Sequence, residues 1–190
     1  MDTALAPTLV ARRFPRLDRR LRDVLLVVTG SLLVAALAQV VIPLPFTPVP
    51  ITGQTFAVLL VGAVLGSRRG AASLLLYLFE GSLGLPVFAG GVGGLVHFLG
   101  PTGGYLLGFI AAAYLVGRLA ERGMDHRFHT AVLIFLAGEA AIYLCGVTWL
   151  SFYLGLPKAI VAGLLPFIVG DALKLVAAAL ALPAAWKLVR

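Results

Sequence analysis

The chain has 190 residues, 61% of them hydrophobic and only 12% charged, with a mean hydropathy of +1.03. Soluble domains are about 45–50% apolar and about 25% charged, so both departures exclude an ordinary soluble core and leave a membrane as the solvent. The formal net charge of +7 does not indicate nucleic acid, because its arginines precede a hydrophobic run and are not interleaved with aromatic residues on a folded face.

Residues 1–23 read as a basic cytoplasmic N-terminal segment, where Arg12, Arg13, Arg16, Arg19, Arg20 and Arg22 form a juxtamembrane anchor. The first apolar run, Val24 to Ile42, is too long for a signal-peptide core and reads as a retained span. Ser31 and Ala35 on it have a small-xxx-small spacing that lets another helix approach closely. Gln39 faces either the bundle or the headgroups. Pro43, Pro45, Pro48 and Pro50 end this span and preclude regular helix as far as Gln54.

Runs two and three, Thr55 to Leu65 and Ala71 to Leu83, are shorter than the ~20 residues of a spanning helix. A re-entrant hairpin has that length but buries Arg68 and Arg69 at membrane depth, at a cost of several kcal/mol. Two short spans with both arginines at the inner surface are therefore expected, with Glu80 near the outer end of the second. Gly90 to Gly104, holding seven glycines and Pro101, is a second irregular outer segment. Irregular backbone near a membrane survives only where protein buries it or it lines a cavity. Both outer segments are thus expected to cap a binding site. The remaining runs are Tyr105 to Leu119, Thr130 to Leu150 and Ala159 to Trp186. Leu-Gly-Leu-Pro at 83–86 and 154–157 is read as a coincidence of common residues.

The resulting expectation is an all-α membrane protein, a six-transmembrane-helix bundle over residues 24–190, with N- and C-termini cytoplasmic. Charge supports the orientation. The six N-terminal arginines, Arg68, Arg69, Arg118, Arg122, Arg127, Lys187 and Arg190 fall inside, which is thirteen of the fifteen basic residues. Lys158 falls outside and Lys174 within a span. That bias obeys the positive-inside rule.

Asp171 and Lys174 are three apart on the last run and share a helix face. Ionisable groups at membrane depth are costly and rarely face lipid. The two readings are a mutually neutralising structural pair and a ligand-binding pair, in which a carboxylate accepts N–H groups and an ammonium attracts an anion. Pro166 is expected to bend the helix just ahead of them. Glu139, with Tyr143 one turn later, reads as a ligand acceptor, a proton carrier or half of an interhelical Glu–Tyr pair. Asp125, His126 and His129 form a weak metal-ligand set in a charged turn, better read as solvated. The single Cys145 precludes an intrachain disulfide. No nucleophile with a base, HExxH or CxxC appears, which argues against an intramembrane enzyme. Nor is the glycine-rich loop a phosphate loop, since no Lys-Ser/Thr pair follows it.

Several stretches together carry a family resemblance. They are Pro48-Val49-Pro50-Ile51-Thr52-Gly53-Gln54-Thr55, Gly84 to Gly91, Gly100 to Phe109 and Gly170-Asp171-Ala172-Leu173-Lys174. From about Val24 onward the chain resembles the BioY family, the biotin-specific substrate-binding (S) components of energy-coupling factor (ECF) transporters. The resemblance implies high-affinity biotin capture and uptake at a bacterial cytoplasmic membrane, with no cofactor. Its implied partners are a transmembrane coupling protein and two cytoplasmic ATPases. It puts biotin contacts on Asp171 and Lys174, adds the loop from Phe88 through Gly90 and Gly91, and loosely fits Ser31 and Ala35 as partner-docking residues. Thr52, Gln54, Tyr105, Tyr143 and Glu139 complete the expected site. An autonomous proton-driven carrier of biotin or another small solute is the alternative.

Overall fold

Helix-breaking residues divide the hydrophobic chain into nine helices and one short hairpin among the described residues, 4–187 of the computed structural model. The helices are α1 Leu5–Arg13, α2 Arg19–Ala38, α3 Gln54–Leu65, α4 Ser67–Ser82, α5 Leu95–Phe98, α6 Gly103–Ala120, α7 Phe128–Leu154, α8 Leu156–Gly163 and α9 Ile168–Lys187. Strands β1 (Val41–Ile42) and β2 (Ile51–Thr52) pair antiparallel, Val41 opposite Thr52 and Ile42 opposite Ile51. The proline-rich segment therefore closes as a hairpin, a small departure from the all-α expectation. Arg190 lies outside the described residues.

Four helices are long and apolar enough to cross a membrane: α2, α6, α7 and α9. The two shorter ones, α3 with 12 residues and α4 with 16, form a hairpin turning at Gly66. Helix α3 is covered on nearly all sides, with Ala57, Val58, Leu59 and Ala63 fully buried. Its hydrophobicity therefore belongs to the protein core and not to lipid contact. The longer helices instead keep an apolar outer face, represented by Leu32 on α2, Leu144 on α7, and Leu173 and Leu180 on α9.

Two predicted boundaries move. Helix α2 begins five residues before Val24, because Asp18 caps it by accepting from the N–H groups of Arg20 and Leu21. The basic N-terminal segment is itself partly folded: α1 tucks Ala4, Leu5 and Pro7 against the bundle. The expected last span, Ala159 to Trp186, is not one bent helix. It stops at Gly163 and restarts at Ile168, because Pro166 has no N–H for the ladder and a turn of residues 164–167 intervenes. The two Leu-Gly-Leu-Pro segments share a physical role, since Gly84 (φ 96°) and Gly155 (φ 78°) end α4 and α7 in the left-handed region.

The bundle has a basic end and a cavity end. At the basic end Glu121 accepts from the Ser67 N–H at 2.8 Å, and Arg69 pairs with Asp23 at 2.8 Å. There the fully buried Asp125 accepts from Trp186 Nε1 at 2.5 Å, while His126 stacks on the indole at 4.4 Å. Asp125 thus fastens the α6–α7 turn to the end of α9, where the sequence suggested a solvated turn. Burial pushes its carboxyl above the ordinary value, against smaller opposing effects of Trp186 and His126. A raised acid binds its proton more tightly in the folded state. Its contribution is therefore greatest below the ordinary carboxylate range and declines as pH rises through the folded value. Asp125→Asn keeps an acceptor for Trp186 and is expected to flatten that decline in thermal unfolding followed against pH. Asp125→Ala leaves the indole N–H unpaired and should cost about 1–3 kcal/mol at low pH, and less as pH rises through the folded value.

The small surface of α2 is used within the chain. Ser31 is fully buried and donates to Glu80 Oε2 at 2.7 Å, and Ala35 is 9% exposed. The two residues expected at a partner interface thus pack inward, and Glu80 is a hydrogen-bond acceptor between α2 and α4 and not merely interfacial.

Candidate functional site

At the cavity end, the proline-rich hairpin, the glycine-rich segment and the starts of α3, α6 and α9 enclose a cavity of about 260 Å³. The break at Pro166 matters here. It places Asp171 in the first turn of α9, where its N–H reaches Phe167 O at 2.8 Å and the helix dipole favours a carboxylate.

Asp171 is 6% exposed and sits at the centre of a hydrogen-bond cluster. Its Oδ1 accepts from Lys174 Nζ at 2.8 Å and Thr55 Oγ1 at 3.1 Å, and its Oδ2 accepts from the Tyr143 hydroxyl. Lys174 also donates to Thr52 O at 2.7 Å and to Thr55 Oγ1 at 3.1 Å. The pair therefore joins α9 to the hairpin and to α3. Removing one partner of a buried ion pair strands the other and is far more damaging than removing both.

A second chain of polar groups stiffens the wall. Thr52 Oγ1 donates to Gln54 Oε1 at 3.0 Å, Gln54 Nε2 donates to the Tyr77 hydroxyl at 2.7 Å, and that hydroxyl donates to Val87 O at 3.1 Å. Tyr105 donates to Gly163 O at 2.7 Å, closing the α8 side. Gln39, at the end of α2, donates to Phe88 O at 3.3 Å and so ties α2 to the loop. Phe88 is 3% exposed, its ring edge-on to Tyr77 at 5.5 Å.

Of the sequence-predicted residues, Asp171, Lys174, Thr52, Gln54, Tyr105, Tyr143 and Phe88 line the cavity together. Gly90 and Gly91 do not line it. Their φ angles of 79° and 72° make the turn that brings Phe88 N–H onto Val92 O at 3.0 Å and directs the ring inward. Glu139 also lies off the lining, 6% exposed, with Tyr143 one turn along α7 bonded to Asp171 and not to it. Neither carboxylate oxygen of Glu139 has a hydrogen-bond partner among the described residues. The expected Glu–Tyr pair is absent for that reason.

Sequence reasoning missed Thr55, which contacts both members of the ion pair, and His97. It also missed the apolar wall of Val49, Leu106, Phe109, Ile142 and Phe167. Thr55 closes the quoted Pro48-to-Thr55 stretch and lies in the first turn of α3, which was the available signal. Nothing in the apolar runs distinguishes Phe109 or Ile142 from ordinary core. Among the described residues no group of three or more His, Cys, Asp or Glu is arranged to hold a metal. The arrangement suits a small ligand with an apolar body and a polar group carrying both donors and acceptors.

Comparison with known proteins gives a consistent result. The family model described as the BioY family matches residues 8–190. A protein of Rhizobium etli described as biotin transporter BioY is 42% identical over 169 residues, covering 84% of this chain and 90% of the relative. A Thermotoga maritima protein of the same description is 44% identical over 140 residues, covering 73% and 82%. Among solved structures, the S-component for biotin from an ECF-type ABC transporter superposes with a TM-score of 0.79 at 28% identity. That match covers 89% of this chain and 93% of the other.

Proposed function

The chain belongs to the BioY family, and from that premise we propose that it captures biotin in the cavity described above and serves as the S component of an ECF-type transporter. The family is one of transporters and not of enzymes. The observation that carries the ligand reading is the cavity itself, in which a buried Asp171–Lys174 pair is set among apolar walls. Biotin offers a matching surface: an apolar bicycle and valeryl chain, two ureido N–H donors and a ureido carbonyl. On this reading α2, α3, α4, α6, α7 and α9 are the six membrane spans of a binding unit over residues 24–190. The basic end, with both termini, faces the cytoplasm of a bacterial cell, following the positive-inside rule. Coupling energy comes from a transmembrane coupling protein and two ATPases, because the chain offers no phosphate loop of its own.

Isothermal titration of the purified chain with biotin is expected to show saturable one-site binding. Heat no different from buffer dilution would sink the proposal. The buried, unpartnered Glu139 favours one second reading, a proton-driven carrier acting alone. Expression without any coupling module in a host lacking biotin uptake separates the two. Accumulation that collapses with an uncoupler would favour the carrier.

A further inference from the structure

The turn between α1 and α2 is a fixed elbow that presents arginine at the rim of the bundle. Packing holds α1: Ala4 and Leu5 are 3% and 4% exposed, and Leu5 shares a core cluster with Leu59 of α3, Val116 of α6 and Leu182 of α9. Hydrogen bonds hold the elbow backbone, Phe14 N–H to Val10 O at 2.8 Å and Leu17 N–H to Phe14 O at 3.1 Å, and Asp18 then caps α2. Between these anchors Arg13, Phe14, Pro15, Arg16 and Leu17 line a shallow concavity of about 480 Å³.

Arg13, Arg16, Arg19 and Arg20 are exposed, and among the described residues none of the four makes an ion pair. The acids that follow them are engaged elsewhere: Asp18 accepts from N–H groups of α2, and Asp23 pairs with Arg69 at 2.8 Å. The concavity therefore carries positive charge without a counter-charge, and the planar guanidinium fork suits phosphate oxygens. Phe14, 58% exposed, gives it an apolar wall. Directly beyond, α2 turns an apolar face outward, on which Leu21, Val24, Leu25, Val28 and Leu32 are all exposed. Arg20 and Val24 are one turn apart, about 6 Å along the helix axis. The arginines thus stand where the outward apolar face begins, the level at which headgroups meet acyl chains. A free phosphate ion would leave that face uncovered, and an acidic peptide has no alkyl chain to lay along it. An anionic phospholipid matches both parts.

We propose that this elbow binds one anionic phospholipid, whose phosphate lies against Arg13 and Arg16 and whose acyl chains run along the outward face of α2. Arg19 and Arg20 add attraction at longer range. The test is lipid retention by the full chain in a neutral detergent, counted by native mass spectrometry from equimolar phosphatidylglycerol and phosphatidylcholine. Wild type is expected to keep one phosphatidylglycerol with at least about a tenfold preference, since each arginine near a charged membrane surface ordinarily contributes about fivefold. Arg13→Gln combined with Arg16→Gln should remove most of that preference. Arg122→Gln combined with Arg127→Gln takes the same charge from the α6–α7 turn and should leave it intact. No preference in wild type, or equal loss in the two double variants, would overturn the site. Inorganic phosphate and polyglutamate are each expected not to displace the lipid from wild type at equal concentration. Displacement by the first would assign the concavity to a free anion and by the second to an acidic protein, and either overturns the proposal. These competitions use wild type alone, so aggregation of a variant does not shelter the proposal from refutation.

Discussion

Asp171→Asn is expected to weaken biotin binding by at least about a hundredfold, about 2.7 kcal/mol. The substitution preserves volume, so the loss is electrostatic and hydrogen-bonded. Asp171 accepts from Lys174, Thr55 and Tyr143 at once. An amide in its place turns an –NH₂ toward at least one of these donors and leaves the Lys174 ammonium without its counter-charge. Breaking a buried pair from one side costs about 3–5 kcal/mol, divided between folding and binding. Lys174→Met should weaken binding less, about tenfold, because Asp171 keeps two neutral donors while Thr52 O loses the contact that holds the hairpin. The double variant separates ligand recognition from structure. If the pair only neutralises itself, Asp171→Asn combined with Lys174→Met recovers wild-type affinity by titration. If Asp171 accepts a ligand N–H, stability recovers in thermal unfolding but affinity does not.

How far this site was legible in the sequence depends on what each residue type costs in a membrane. Asp171 and Lys174 stood out because a charge in an apolar run must have a reason to be there, and the reason is visible in their partners. The four prolines and the glycine cluster stood out equally, since neither composition favours a long regular helix. Both segments do close over the cavity. What the sequence concealed was direction. Ser31 and Ala35 have a spacing that suits any close helix contact, and spacing alone does not say whether the neighbour is another chain or α4. Pro166 announced a disruption, but whether a helix bends or restarts depends on packing around the turn of residues 164–167. Phe109 and Ile142 face the cavity from helices that are apolar throughout, and Thr55 is a hydroxyl like many others until Lys174 is placed beside it. The contour of the bundle followed from composition and charge. The inner wall needed three dimensions.

Gly104→Val is expected to be the most damaging single change outside the site, preventing α6 and α7 from closing. Gly104 closes the Gly90-to-Gly104 segment expected to be irregular, yet it lies two residues into α6 and is there for close approach. A Cβ at this position would stand 2.1 Å from Trp149 Cβ and 2.6 Å from Cys145 O. The second of those is backbone and cannot rotate away. Gly108, one turn on, would similarly meet Ile142 Cα at 3.0 Å, so the two helices touch along a continuous strip. Forcing a branched side chain into such a contact ordinarily costs about 1–3 kcal/mol where side chains can yield, and more where the obstruction is main chain. The damage would reach the cavity by a short route. Trp149 holds Gly100 and with it the α5 segment, while Tyr105, adjacent to Gly104, holds Gly163. Size-exclusion chromatography in detergent should therefore show loss of the monodisperse peak, or a fall in Tm of 10 °C or more (about 3 kcal/mol at roughly 3 °C per kcal/mol for a chain of this size). Gly104→Ala, which adds the same Cβ and nothing beyond it, should lie between wild type and Gly104→Val. A Gly104→Val protein that stays monodisperse and binds biotin normally would mean that the helices can part at this end without disturbing the site.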